Sequence, residues 1–163
     1  MTLSEFNTLT KEQATAALLQ CCGSRNWAYK MTAQRPFLNK ATFLETGEQV
    51  WISLSRLDWL EAFLQHPKIG DVKATDDGVA QEEQKSTLTA SKDMLDRLAI
   101  ENEAYFQRFG YLFIICASGK SAEELLCSME ERMHNEPAQE LHIAAKEQAK
   151  ITCLRLEKLI DEK

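Results

Sequence analysis

A chain of 163 residues is long enough to bury a core without disulfides or a structural metal, and its length fits one domain spanning residues 1–163. Its 44% hydrophobic and 27% charged residues match a soluble globular protein rather than a disordered or fibrous one. A net charge of −6 and a pI near 5.2 offer no basic face, so neither a nucleic-acid backbone nor an anionic membrane is the expected partner. A local basic pocket for a small anion is compatible with that balance.

The five cysteines, Cys21, Cys22, Cys116, Cys127 and Cys153, are odd in number, and none forms a CxxC pair. The N-terminal stretch MTLSEFNTLTKEQ is polar and has no apolar signal-peptide region. No run approaches the eighteen or so apolar residues of a membrane span. Reduced thiols in the cytoplasm are therefore expected, with no metal site.

The hydrophobic pattern is helical almost throughout. Ser55-Arg-Leu-Asp58 opens a helix carrying Trp59, Leu60, Phe63 and Leu64, which is expected to run to His66 because Pro67 follows. Residues 68–78 read as a loop, and 79–100 as a long polar-rich helical segment. A separate helical piece carries Asn102, Tyr105 and Phe106 towards Gly110. Tyr111-Leu-Phe-Ile-Ile-Cys116 breaks the pattern. This short apolar run has no partner strand and reads as extended backbone buried among helices. Ser121-Ala-Glu-Glu124 has the form of a capping box for a helix to about Asn135. After Pro137, a stripe of Leu141, Ala144, Ala145, Gln148, Thr152, Leu156 and Leu159 predicts the last helix. The expected fold is an all-α, single-domain helical bundle with one short extended apolar segment.

Three histidines supply the acid–base options near neutral pH. His134 and His142 flank Glu136, Pro137 and Glu140 without the i,i+4 pairing of metal ligands, and surface roles account for both. His66 stands at a helix end, held by Pro67, at the start of a glycine-containing loop. A cap interacting with the helix dipole is the commoner role for such a histidine, and catalysis is the other. Glu82, Glu83 and Gln84 project to different sides of a helix, so one glutamate can face inward while the other is solvated. Arg108 has Glu101 and Glu103 as candidate ion-pair partners, and Arg155 lies in the last helix. Cys116 sits in an apolar run, an environment that makes a thiol inert rather than nucleophilic.

Taken together, Gln34-Arg-Pro-Phe37, His66-Pro67, Glu83-Gln84, Tyr105-x-x-Arg108-Phe-Gly110, Phe113-Ile-Ile-Cys-Ala117 and Lys150-Ile-x-x-Leu-Arg-Leu156 resemble, in order and spacing, the 2-oxo-4-hydroxy-4-carboxy-5-ureidoimidazoline (OHCU) decarboxylase family. The resemblance covers most of the chain. It implies an all-helical enzyme of urate breakdown, a carboxy-lyase that forms (S)-allantoin from a small ureidoimidazoline without a cofactor, commonly as a homodimer. It further implies His66 as the acid/base and Glu83 as its catalytic partner. Pro67, Glu83 and Gln84 would line the substrate site, with backbone groups of Phe113, Ile114, Ile115, Cys116 and Ala117. One departure is Ala80, where family members usually carry serine three residues before the glutamate. Lys120 stands where relatives often have a basic residue, as a partner for the substrate carboxylate or as a solvated lysine. Two other readings use the same residues: a helical binding or adaptor domain that keeps the fold without turnover, and a thiol- or metal-dependent enzyme.

Overall fold

The computed structural model describes residues 1–67 and 91–161, and among them every regular element is a helix. In chain order these are α1 (Leu3–Thr8), α2 (Lys11–Cys21), α3 (Arg25–Ala33), α4 (Lys40–Ile52), α5 (Arg56–Phe63), α6 (Lys92–Phe109), α7 (Ala122–Arg132) and α8 (Pro137–Leu159). The all-α expectation therefore holds. None of these helices is long and apolar enough to cross a membrane.

Local chemistry explains where the helices begin. The side chains of Thr2, Thr10, Ser24, Asn39, Ser55, Ser91 and Ser121 each accept a hydrogen bond from the backbone N–H three residues on. Each such cap satisfies an otherwise orphaned donor and is worth about 1 kcal/mol. At Thr2 and Thr10 the box is completed by Glu5 and Gln13.

The residues pack as two compact units, 1–65 with 149–163, and His66 to Gln148; α8 contributes to both. In the first unit Phe43 meets Phe6 and Phe37 edge-on, with ring centroids 5.3 Å and 5.0 Å apart. Gln34-Arg-Pro-Phe37 is a clasp in this cluster. Arg35 donates to the carbonyls of Phe6 (3.1 Å) and Leu9 (2.7 Å) at the end of α1. Asn7 exchanges two 2.9 Å hydrogen bonds with the backbone of Phe37. Arg155 donates to the Cys21 carbonyl at 3.5 Å. These two family segments serve as structural ties in this unit.

Cys21 and Cys22 are buried at the end of α2, and all five cysteines are free thiols. Burial pushes the Cys21 thiol from 9.0 up to about 12 and the Cys22 thiol to about 11. A raised folded-state value means that stability is full below pH 9 and declines as pH rises through 11 and 12, because only the unfolded chain ionises early. The melting temperature is therefore expected to fall above pH 9. The Cys21→Ala/Cys22→Ala variant should show a flatter alkaline slope, and an unchanged slope would assign the loss to other groups.

The second unit contains α6, α7 and the first half of α8, with α6 packed on α7. Two expected pieces, 79–100 and Asn102 towards Gly110, meet in α6 as one helix from Lys92, since no glycine or proline interrupts it. The loop 68–78 and the part of the long segment before Ser91 lie outside the described residues. Gly110 ends α6 in the left-handed conformation (φ 83°), its N–H bonded to the Phe106 carbonyl at 2.8 Å. An added Cβ at Gly110 would meet nothing within 4 Å, so the constraint is backbone conformation, not space. Gly119 (φ 74°) makes the turn before Ser121 caps α7. These two glycines bracket residues 112–117, which carry no helical or strand pattern, as expected for extended backbone.

Two boundaries differ from expectation. The helix begun by Ser55 ends at Phe63, not His66: the Gln65 N–H turns back to the Ala62 carbonyl, and the restriction before Pro67 keeps His66 non-helical. In α8 the buried stripe starts at Glu140, which is fully enclosed, while Leu141 is only half-buried. A charged residue therefore occupies a core position.

Candidate active site

His66 lies in the bend after α5, half-buried, and Pro67 beside it is also half-buried. Its Nε2 is 2.5 Å from Oε1 of Gln148, a fully buried amide on α8. The neighbouring residue on α8, Glu147, accepts a hydrogen bond from the Cys116 backbone N–H at 3.4 Å. Two adjacent positions of one helix thus hold the imidazole and the apolar segment, which are some fifty residues apart in the chain. Glu83 and Gln84, together with Ala80 and Glu82, lie outside the described residues.

Phe113, Ile114 and Ile115 are buried, whereas Cys116 and Ala117 are half-buried. Part of the segment's backbone is engaged within the protein. The Ile114 carbonyl accepts from Arg132 Nη1 at 2.8 Å, and the Ala117 carbonyl from the Lys120 N–H at 3.1 Å. With the bond from Cys116 to Glu147, three of these residues are already engaged within the protein. Phe113 and Ile115 make no backbone hydrogen bond among the described residues.

Arg132 itself is buried on α7. Its Nε donates to Glu140 Oε1 at 2.6 Å, and Nη2 lies as close to that oxygen in an ionic contact rather than an aligned hydrogen bond. Tyr105 donates to the same oxygen at 2.7 Å, and Asn135 Nδ2 to Oε2 at 3.0 Å. The guanidinium stacks 4.2 Å from the Phe113 ring centroid, and Tyr105 meets that ring edge-on at 5.2 Å. Burial first, and then the hydrogen bond to Glu140, push the Tyr105 phenol well above its usual range. The phenol therefore stays protonated and continues to donate. This network fixes the middle of the apolar segment from one side.

Sequence reading did not assign Arg132, Glu140, Glu147 or Gln148 to the site. The available signal was polarity within a buried stripe: Glu140, Gln148 and Thr152 fall at multiples of four among Ala144 and Leu156. Burying an amide or carboxylate without a partner costs several kcal/mol, about 2–7 for an amide, so such positions imply a partner elsewhere. Arg108, expected near Glu101 or Glu103, instead donates to the Asn135 carbonyl at 2.8 Å. Glu103 accepts from Gln107. His134 and His142 are exposed. Among the described residues, no three His, Cys, Asp or Glu side chains converge as metal ligands would.

The chain belongs to the OHCU decarboxylase family, whose model matches residues 7–157. A crystal structure of an OHCU decarboxylase in the presence of (S)-allantoin superposes with a TM-score of 0.78 at 39% identity, covering 88% of this chain and 96% of that one. The uric acid degradation bifunctional protein TTL of Arabidopsis thaliana is 39% identical over 88% of this chain and 46% of its own length. A decarboxylase of the same name as the family, from Halalkalicoccus jeotgali, is 28% identical over 98% of this chain and 92% of its own. The chain spans less than half the length of the bifunctional relatives, 46% of the Arabidopsis protein and 33% of one from Bacillus sp. (strain TB-90).

Proposed function

We propose that residues 1–163 act as one decarboxylase domain that converts 2-oxo-4-hydroxy-4-carboxy-5-ureidoimidazoline to (S)-allantoin in urate breakdown, with His66 as acid/base. The observation that carries this reading is the joint anchoring of His66 and the apolar segment on Gln148 and Glu147. Family membership and the 39% identity to an OHCU decarboxylase crystallised with (S)-allantoin support the choice of substrate.

The chemistry suits these residue types. In the substrate one ring carbon bears a hydroxyl and a carboxylate and adjoins a C=N bond. As the bond to carbon dioxide breaks, its electron pair forms a C=C bond to the neighbouring carbon. The C=N pair then collects on nitrogen, which takes up a proton. The substrate is its own electron sink, so the reaction asks no borrowed sink of a cofactor. The resulting enol loses its hydroxyl proton while the neighbouring carbon gains one, and delivery to one face sets the S configuration. An imidazole, which can both take up and give back a proton, serves both transfers.

Glu83 and Gln84 suit the ureido group and ring amides, since a carboxylate accepts from N–H while a carboxamide both donates and accepts. Pro67 lines the site. In extended backbone, successive residues present their amide groups to opposite sides. Backbone groups of Phe113, Ile114, Ile115, Cys116 and Ala117 extend the recognition, and Phe113 and Ile115 offer both N–H and C=O because Arg132 and Glu147 already hold the Ile114 carbonyl and the Cys116 N–H. The enzyme works as a homodimer in the cytoplasm, a location in keeping with its five free thiols.

The deciding experiment generates the unstable substrate in situ with urate oxidase and 5-hydroxyisourate hydrolase, then follows its decay and the optical rotation of the allantoin. Decay no faster than the spontaneous reaction, with correctly folded protein, would overturn the assignment. Glu83→Gln is expected to lose activity through altered ligand recognition, whereas Glu82→Gln should change turnover little. The reverse outcome would exchange the roles of the two glutamates.

A further inference from the structure

We propose that Gln148 is a positioning residue that fixes the orientation and tautomer of His66, so that Nε2 carries the proton and Nδ1 acts as the base. The inference rests on the decarboxylase reading for its kinetic consequence but not for its structural content. His66 lies outside α5, in the half-buried bend that precedes Pro67. Gln148 is fully enclosed on a stripe that also presents Ala144, Ala145, Ile151, Thr152 and Leu156. A rigid helix and close packing leave its amide little freedom, which makes it a fixed reference for the imidazole. Its carbonyl oxygen Oε1 faces His66 Nε2.

An amide oxygen only accepts, so the nitrogen opposite it must be the N–H. In the neutral ring the other nitrogen then bears the lone pair, as in sites where a hydrogen bond to one imidazole nitrogen selects the role of the other. The choice of a neutral amide is chemically specific. A carboxylate here would favour the imidazolium, which has no lone pair to take the substrate proton. An amide orders the ring without loading it with a proton. The adjacent carboxylate, Glu147, holds the Cys116 amide instead.

The test combines a spectroscopic readout with kinetics. In ligand-free protein with 15N-labelled histidine, above the imidazole titration, His66 is expected to give the shifts of the Nε2–H tautomer. Gln148→Leu, which removes the acceptor, should yield a mixture of tautomers. Gln148→Glu, which keeps an acceptor at that position, should retain Nε2–H and titrate at higher pH. In turnover, Gln148→Leu is expected to lower kcat about 10- to 100-fold with KM changed by less than roughly threefold, the pattern of a group that acts through another. A wild-type Nδ1–H tautomer, or a Gln148→Leu protein with wild-type tautomer and kcat, would overturn the proposal. The tautomer measurement needs no substrate, so it separates failure of this inference from failure of the decarboxylase assignment.

Discussion

His66→Asn is expected to abolish enzyme-dependent decarboxylation, a loss on the order of 10²–10⁴-fold if proton transfer is its contribution, while helical content remains that of the wild type. The fold should survive because His66 lies outside α5 and is only half-buried. Asparagine also leaves a polar group that can reach towards the buried Gln148 amide. His66→Ala should be equally inactive but less stable by about 0.5–1.5 kcal/mol, because the hydrogen bond between the imidazole and that amide is lost. Circular dichroism, urea unfolding and the coupled decay assay together check these outcomes. Turnover near wild type in either variant removes His66 from the chemistry.

Arg132→Met carries the largest expected effect on stability. It strands the Glu140 carboxylate, which is fully enclosed, with only Tyr105 and Asn135 as donors. Breaking a buried ion pair by removing one partner costs about 3–5 kcal/mol, which at this chain length lowers the melting temperature by roughly 6–20 °C. Replacing both partners, as Arg132→Met/Glu140→Leu, should be less harmful than the sum of the single changes, since no lone charge remains buried. Activity should fall with the single change, because the same guanidinium holds the Ile114 carbonyl and stacks on Phe113. A destabilisation of Arg132→Met below about 1 kcal/mol would show that the pair contributes little.

Glu140 shows where reading from sequence reaches its limit. Its neighbours, Glu136 and the two exposed histidines, give the start of α8 the pattern of a solvated surface, and by periodicity Leu141 begins the buried stripe. Rotation by one residue brings the glutamate inward, and what makes that tolerable is Arg132, on another helix. No local pattern encodes that pairing. The same holds for Gln34-Arg-Pro-Phe37, which reads as a family signature. Its arginine and phenylalanine bind the end of α1 and the side chain of Asn7 in the first unit.

Much about His66 was legible beforehand. Proline after it requires a break in the helix, and an apolar run bracketed by Gly110 and Gly119 requires a segment without regular pairing. Helix caps, the α-helical period and the left-handed glycines are effects of near neighbours, so sequence alone determined that the chain is helical and roughly where the helices after Ser55, Ser121 and Pro137 start. It also singled out this histidine and this segment. Tertiary structure decided what they touch: Gln148 beside the imidazole, Glu147 on the Cys116 amide, and Arg132 on the Ile114 carbonyl. Those contacts join residues 18 to 82 positions apart. They follow from the direction in which each helix faces its neighbours, and the need to satisfy every buried polar group selects among them only once the helices are packed.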